Sequence, residues 1–210
     1  MKRLAILGAS GHGKVVADIA MCCGWEEIVF FDDAFPQKTA LEGWQILGDT
    51  QVLLSSVNNH DGVIVAIGNN AIRLDKTKLL ISSGFPIISL IHPRSVVSRY
   101  SSIKIGSVVM ANAVINSFSN IGLACIVNTS ATIDHDCELM DAVHVSPGAN
   151  LAGSVKVKEC AWIGIGASVN QCLSIGKNVI IGAGSVVVNH IPDNVISVGI
   201  PSKVIKGSKC

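Results

Sequence analysis

The stretch IGLACIVNTSATIDHDCELMDAVHVSPGANLAGSVKVKECAWIGIGASV, residues 121–169, repeats every six residues, and the reading of the fold rests on it. Stepping by six from Ile91 gives Val97, Ile103, Val109, Ile115, Ile121, Val127, Ile133, Leu139, Val145, Leu151, Val157, Ile163, Val169, Ile175, Ile181 and Val187, every one aliphatic. Four places further on, from Ser95 to Ile191, the same step finds only small or aliphatic residues, Cys125, Ala131, Cys137 and Ala149 among them. Neither a helix nor an alternating strand has a period of six. One large and one small inward residue per hexad, with Gly or Asn at corners, is what a parallel β-helix requires. Each short strand buries one or two side chains and then turns.

The pattern resembles the left-handed β-helix of the hexapeptide-repeat acyltransferases, in which three hexads make one triangular coil. The handedness and the three-sided section come from that resemblance. Left-handed crossovers break the usual rule for parallel strands. Eighteen residues per coil gives five to six coils, a prism about 27 Å long at roughly 4.8 Å per stacked strand. Residues eighteen apart then lie over one another.

The repeat claims the second half of a 210-residue chain, leaving room for one small domain before it. Hydrophobic content of 49% with 4% aromatic suits a core of Val, Ile and Ala. At roughly 1.5 to 3 kcal/mol per buried aliphatic side chain, the prism needs no covalent staple. A net charge of +1 offers no electrostatic footprint for nucleic acid or an anionic membrane. The opening MKRLAILGASGHGKVVADIA is broken by glycine after a short apolar run, so neither a signal peptide nor membrane insertion is expected, and a reducing cytoplasm is the default. The seven cysteines show no CxxC and no zinc spacing, so no metal is expected. Cys125 and Cys137 fall on the inward position and are expected to be buried as small hydrophobes.

In the first ninety residues, Lys2 to Leu7 reads as a strand, Gly8 to Gly13 as a glycine-rich turn and Lys14 to Cys23 as a helix. Glu27 to Phe31 and Gly62 to Ile67 read as further strands, ending in Asp32-Asp33 and in Gly68-Asn69-Asn70. Ala71 to Ser83 has helical spacing, and Ile87 to Leu90 reads as a last strand. Such alternation argues a small parallel α/β domain of Rossmann type, with ligand loops at the C-terminal ends of its strands.

The turn GASGHGK fits GxxxxGK, but Val15 cannot supply the hydroxyl that holds Mg²⁺ in a P-loop. The dinucleotide fingerprint is also absent, since Val16 stands where a third small residue belongs. Glycines beside a helix N-terminus still suit a diphosphate. Asp32 lies where an acid meets a ribose hydroxyl or a base edge, or else caps a βα turn; spacing favours neither. Together with Gly68 these loops describe a pocket for a nucleotide-linked molecule.

Inside the repeat, charged and imidazole residues are scarce, so Asp134-His135-Asp136 and His144 stand out. A carboxylate beside an imidazole holds one tautomer and makes a better base, with Asp136 the expected partner of His135. Eighteen residues beyond His135 lies Gly153, so the coil above carries no side chain there; Asn128 is expected to offer an amide close by. Ile165 stacks under Ala183, and Gly164, Gly166, Gly182 and Gly184 leave a backbone-lined track suited to a pantetheine arm.

The segments GASGHGKVV, FFDD, AIGNNAIR, LIHP and NTSATIDHDCELMDAVHVSPGANLAGSV together resemble the bacterial sugar N- and O-acetyltransferases of the PglD and NeuD type over nearly the whole chain. That resemblance implies an acetyl-CoA-dependent homotrimer with active sites between neighbouring prisms. It implies a UDP-4-amino-4,6-dideoxy-N-acetylhexosamine as acceptor in the PglD branch. His135 is then the general base and Asp136 its support, while His144 bonds the thioester carbonyl and Ile165 and the amide of Ala183 meet the CoA arm; Gly153, placed by the stacking, is expected to let the acyl group reach His135. Ser10, Gly11, His12, Asp32, Asp33 and Gly68 hold the sugar nucleotide; Asn128, placed by the repeat and not by the resemblance, is expected on the substrate side of the site. PglD itself carries Glu where this chain has Asp136, one methylene shorter, and the family favours Gly at the place of Ala183. The rival readings are O-acetylation of a sialic-acid-like sugar, as in the NeuD branch, and a non-catalytic trimeric nucleotide-binding scaffold. The expected boundaries are 1–90 for the Rossmann-like domain, 91–192 for the β-helix and 193–210 for a basic tail carrying Lys203, Lys206 and Lys209.

Overall fold

The computed structural model describes residues 2–207, and the chain divides into two compact units, Met1–Pro93 and Arg94–Cys210. Lys209 and Cys210, assigned to the tail, lie outside the described residues.

In the first unit three parallel strands, β1 (Arg3–Leu7), β2 (Glu27–Phe31) and β3 (Gly62–Val65), pair in the order β2-β1-β3. Their apolar runs are buried on both faces, as parallel strands demand. Helix α1 (Gly11–Cys22) follows β1, α2 (Thr50–Leu54) precedes β3, and α3 (Asn70–Ser82) follows β3. A two-strand antiparallel ribbon, Ala40–Leu41 with Trp44–Gln45, fills part of the long β2–α2 connection and was not anticipated.

Three boundaries differ from expectation by more than one residue. Helix α1 begins at Gly11, not Lys14, so His12 and Gly13 belong to its first turn. Gly13 is required there because a Cβ would lie 2.3 Å from the Gly8 carbonyl oxygen. The third strand stops at Val65, short of Ile67. Ile87 makes only an isolated bridge to Val63, and the extended pair is Leu90–Ile91.

The second unit is a parallel β-helix. Its two-residue strands stack in steps of eighteen: Val96↔Val114↔Thr132↔Asn150↔Ser168↔Val186 on one face, and Ser102↔Asn120↔Glu138↔Lys156↔Ser174 on the next. The third face carries Val108, Ile126, His144, Trp162 and Ile180 in the same way. Both six-step series point inward: Val109, Ile115, Ile121, Val127, Ile133 and their successors share one core with Ala113, Cys125, Ala131 and Cys137. Ile91 is the exception; it belongs to the first unit and is exposed.

Each corner turns through a residue with positive φ, at every sixth position from Gly106 to Gly184. Glycine supplies four of these; Asn112, Phe118, Ala124, Ser130, Asp136, Ala142, Ser154, Cys160, Cys172 and Asn178 supply the rest. Corner chemistry is therefore broader than the expected Gly and Asn. The coil closes only through a left-handed residue there, and the ladder and core on either side hold it against a local cost of about 1 kcal/mol or more. After Pro192 the chain adds Val195–Val198 in parallel beside Ile180–Ile181, then folds Lys203–Gly207 back antiparallel on it.

Candidate active site

His135 sits at the corner between the face of Thr132–Ile133 and the face of Glu138–Leu139. Its Nδ1 lies 2.8 Å from Asp136 Oδ2, so the shorter carboxylate reaches the imidazole. Asp136 has φ 59°, a conformation Asp tolerates, and its backbone N–H donates to the Ser117 carbonyl one coil below. Asp134 Oδ1 accepts the His135 N–H at 2.8 Å and the Asn116 side-chain amide at 2.9 Å. The hydrogen bond to Asp136, followed by the Asp134 charge, raises the His135 pKa above the ordinary imidazole value. With Nδ1–H given to Asp136, the neutral ring presents the Nε2 lone pair.

Gly153 lies directly over that ring. A Cβ on it would stand 2.6 Å from both His135 Nε2 and Cε1, so the missing side chain is what keeps the basic nitrogen clear. Cys137, the nearest thiol in sequence, is buried, and burial pushes its pKa up. Cys125 is likewise buried, and both act as core packing.

Asn128 is not beside His135. It occupies the preceding corner, one whole face away, where its Nδ2 lies 3.2 Å from His144 Nε2 and its Oδ1 accepts the Thr129 N–H at 2.8 Å. His144 is buried on the third face, stacked on Trp162 with ring centroids 4.9 Å apart. Trp162 stands eighteen residues beyond His144, so the stacking rule contained this contact although sequence reasoning passed over it.

The same corner carries the glycine-lined track. A Cβ at Gly164 would meet the Ile181 carbonyl oxygen at 2.4 Å and the Ala183 nitrogen at 2.8 Å, while Gly166 and Gly184 both have φ 65°. Ile165 is exposed, its carbonyl accepts the Gly184 N–H, and Ala183 is exposed above it. Within one chain, then, the His135 corner and the His144–Ile165–Ala183 corner are different edges of the prism, flanking a single face.

In the first unit, Leu7, Gly8, Ser10, Asp32, Asp33 and Ile67 line a cavity of about 210 Å³ at the C-terminal ends of the strands. Gly8, with φ 114°, packs against the Ala66 carbonyl, where a Cβ would stand at 2.7 Å. Ser10 is the N-cap of α1 and makes no side-chain capping bond. Gly11 and Gly68 have open space where a side chain would project. Asp32 braces the turn, accepting the N–H of Ala9 at 2.6 Å and of Ala34 at 2.9 Å.

Asp33 accepts from Thr50 and from Lys76, the latter at 2.7 Å. Burial alone would raise the Asp33 pKa, but the Lys76 and Thr50 hydrogen bonds with the Lys76 charge outweigh it and hold the carboxyl at about 2. Burial and then the Arg73 charge push His12 down to about 4, so it is neutral near pH 7. Arg73 is itself buried and ties the loop after β3, donating to the carbonyls of Ile67 and Gly68 and to Asn70 Oδ1. Neither Lys76 nor Arg73 was picked out from the sequence, since a cation on a helix reads as solvated until its acceptors are placed. Among the described residues no cluster of His, Cys, Asp and Glu is arranged to hold a metal ion, and no helix is long and apolar enough to cross a membrane.

Comparison with known proteins bears on both units. Residues 3–80 match the model of the PglD N-terminal domain. A 116-residue segment is 36% identical to UDP-N-acetylbacillosamine N-acetyltransferase of Bacillus subtilis, a match spanning 52% of each protein, so the chain spans about half the length of that curated relative. Among solved structures, perosamine N-acetyltransferase from Caulobacter crescentus, in complex with CoA and GDP-perosamine, is 37% identical with TM-score 0.93 over 98% of this chain and 97% of that one. The acetyltransferase domain of PglB from Neisseria gonorrhoeae, in complex with acetyl coenzyme A, is 43% identical with TM-score 0.92 over 97% and 99%. A β-helix with an Asp-supported histidine at a corner, a Rossmann-like domain before it and likeness to the Caulobacter crescentus and Neisseria gonorrhoeae structures over 97% or more of each chain place the chain in the family of PglD-type hexapeptide-repeat sugar N-acetyltransferases.

Proposed function

We propose that the protein transfers acetyl from acetyl-CoA to the 4-amino group of a UDP-4-amino-4,6-dideoxy-N-acetylhexosamine, in the making of a bacterial surface-glycan or glycoprotein sugar. The observation that carries this reading is His135: its Nδ1 is held by Asp136 at 2.8 Å and its Nε2 is kept clear by Gly153. The acceptor amine attacks the thioester carbonyl while His135 Nε2 takes its proton; the N–C bond forms, the C–S bond breaks, and the leaving thiolate recovers the proton from the imidazolium. Asp136 stabilises that imidazolium, and His144 and the amide of Ala183 are the donors for the carbonyl oxygen as charge develops on it. Holding both substrates in register supplies much of the rate.

The acetyl donor lies along Ile165 and Ala183, both exposed at one corner, beside Gly166 and Gly184, where open space surrounds the backbone. Because that corner and the His135 corner flank one face of the same prism, roughly 20 Å of chain apart, one chain cannot complete the site. A homotrimer that turns this face inward brings each His135 edge against a neighbour's Ile165–Ala183 edge. The diphosphate is taken by the turn Gly8–Ser10–Gly11 at the start of α1, with Asp32, Asp33, His12 and Gly68 around it. The uridine is favoured by the Bacillus subtilis relative, whose name specifies a UDP sugar, over the GDP sugar bound by the Caulobacter crescentus protein.

The test is product mass after incubation with acetyl-CoA and a panel of UDP- and GDP-linked 4-amino sugars. One added acetyl on a UDP-4-amino sugar is expected. His135→Ala should slow it by about a hundred- to ten-thousandfold with acetyl-CoA binding retained. Acetylation of a free-sugar hydroxyl instead, or full turnover in the variant, overturns the reading.

A further inference from the structure

Two large aromatic side chains stand in the open on the edge that carries His135. Phe118 is 60% exposed and Tyr100 is 62% exposed. Phe118 lies eighteen residues before Asp136, and Tyr100 eighteen before Phe118, so the three occupy one column of the corner on successive coils. The two rings stack on each other, with centroids 5.4 Å apart and planes at 23°. That separation is close to the roughly 4.8 Å between coils, so the pair runs along the prism edge towards the coil of His135 and Asp136.

Folding does not account for this pair. A corner needs a residue that accepts positive φ, and Phe118 sits there at φ 63°, where a bulky side chain is strained. Among the described positive-φ corners from Gly106 to Gly184, Phe118 alone is aromatic. Its ring also adds nothing to the core, which takes the neighbouring Ile115 and Ile121 instead. Strain together with exposure points to a ligand that the rings meet. The face on the other side of the corner is polar: Asn116, Thr132, Asp134, Asn150, Ser168 and Asn170 are among the residues lining an open groove of about 450 Å³. His135 therefore stands where an apolar strip meets a polar groove. A hexose has the same two-sided character, with hydroxyl and amide groups around its rim and C–H groups on its ring faces.

We propose that Phe118 and Tyr100 form the specificity surface for the acceptor's hexose, Phe118 packing against the C–H face of the sugar ring while the amine meets His135 Nε2. This rests on the acetyl-transfer reading, which makes His135 the reacting group. Phe118→Asn removes the ring and installs a residue that takes positive φ readily, as Asn112 and Asn178 do at other corners, so the thermal midpoint should hold or rise. With a UDP-4-amino sugar that the wild type acetylates, KM for the sugar nucleotide should rise about tenfold, with KM for acetyl-CoA and the inhibition constant of free UDP unchanged. Phe118→Tyr keeps a ring and should hold that KM within about twofold of wild type. An unchanged KM in Phe118→Asn overturns the proposal. An equal rise in the UDP inhibition constant also overturns it, by assigning the ring to the nucleotide, and a lower assembly mass in light scattering does so by assigning it to a neighbouring copy. A wild type that acetylates no sugar nucleotide sinks the functional reading and this proposal together. A wild type that acetylates one, with Phe118→Asn its equal, sinks this proposal alone.

Discussion

At His135, two carboxylates act from different directions. Asp136 binds Nδ1, and Asp134, held by Asn116 and the His135 backbone N–H, adds its charge nearby. Both favour the imidazolium, so the pKa is raised and the neutral, basic form is gained only as pH rises through that raised value. Asp136→Asn removes the largest contributor. The acidic inflection of kcat/KM should therefore move to lower pH, while the plateau drops because the imidazolium formed in the reaction loses its support; a pH–rate profile of the two proteins checks both signs. Gly153 governs the other side of the ring. Gly153→Ala puts a methyl 2.6 Å from Nε2, so the imidazole must swing away. A kcat loss of tenfold or more is expected with the thermal midpoint nearly unchanged, since the exposed ring can move without disturbing the core. The placement of these residues was legible in the sequence because a six-step period assigns every residue a face and an eighteen-step period assigns it a neighbour. Asn128 was misplaced because sequence proximity to His135 was read as spatial proximity, and a corner plus a full strand intervene.

At the scale of the coil, the positive-φ corners show how tertiary packing overrides local preference. Cys172 adopts φ 58° at an exposed corner, where its N–H donates to the Gly153 carbonyl. Asn tolerates that conformation better than Cys. Cys172→Asn should therefore raise stability by up to about 1 kcal/mol, read as a higher denaturant midpoint with an unchanged m-value. In the first unit the strands and helices followed from apolar runs and stop signals, yet α1 started a turn earlier than expected. A glycine pair reads locally as a turn, and only the contact between Gly13 and the Gly8 carbonyl shows why glycine is tolerated inside the first helical turn. Lys76 likewise became visible as the partner of Asp33 only once α3 was packed.

For the molecule as a whole, the His135 edge and the Ile165–Ala183 edge that the proposed function joins in one site are different edges of one prism, and that arrangement makes a sharp prediction. A chain carrying His135→Ala keeps an intact Ile165–Ala183 edge, and a chain carrying Ala183→Trp keeps an intact His135 edge. Each alone should be nearly inactive. Mixed by co-refolding in equal amounts, they should recover activity in roughly a quarter of sites, the chance that two neighbours pair in the productive order. If each site is built within one chain, mixing recovers nothing.

The sequence by itself determined the coil, the inward residues and the exposed Asp-flanked histidine beneath a glycine, because a strict period converts position directly into direction and depth. Only the tertiary structure decided which polar groups meet: that Asn128 turns its amide to His144, and that Lys76 reaches Asp33. Those contacts depend on how far a corner swings and where a helix packs, and no one-dimensional pattern records either.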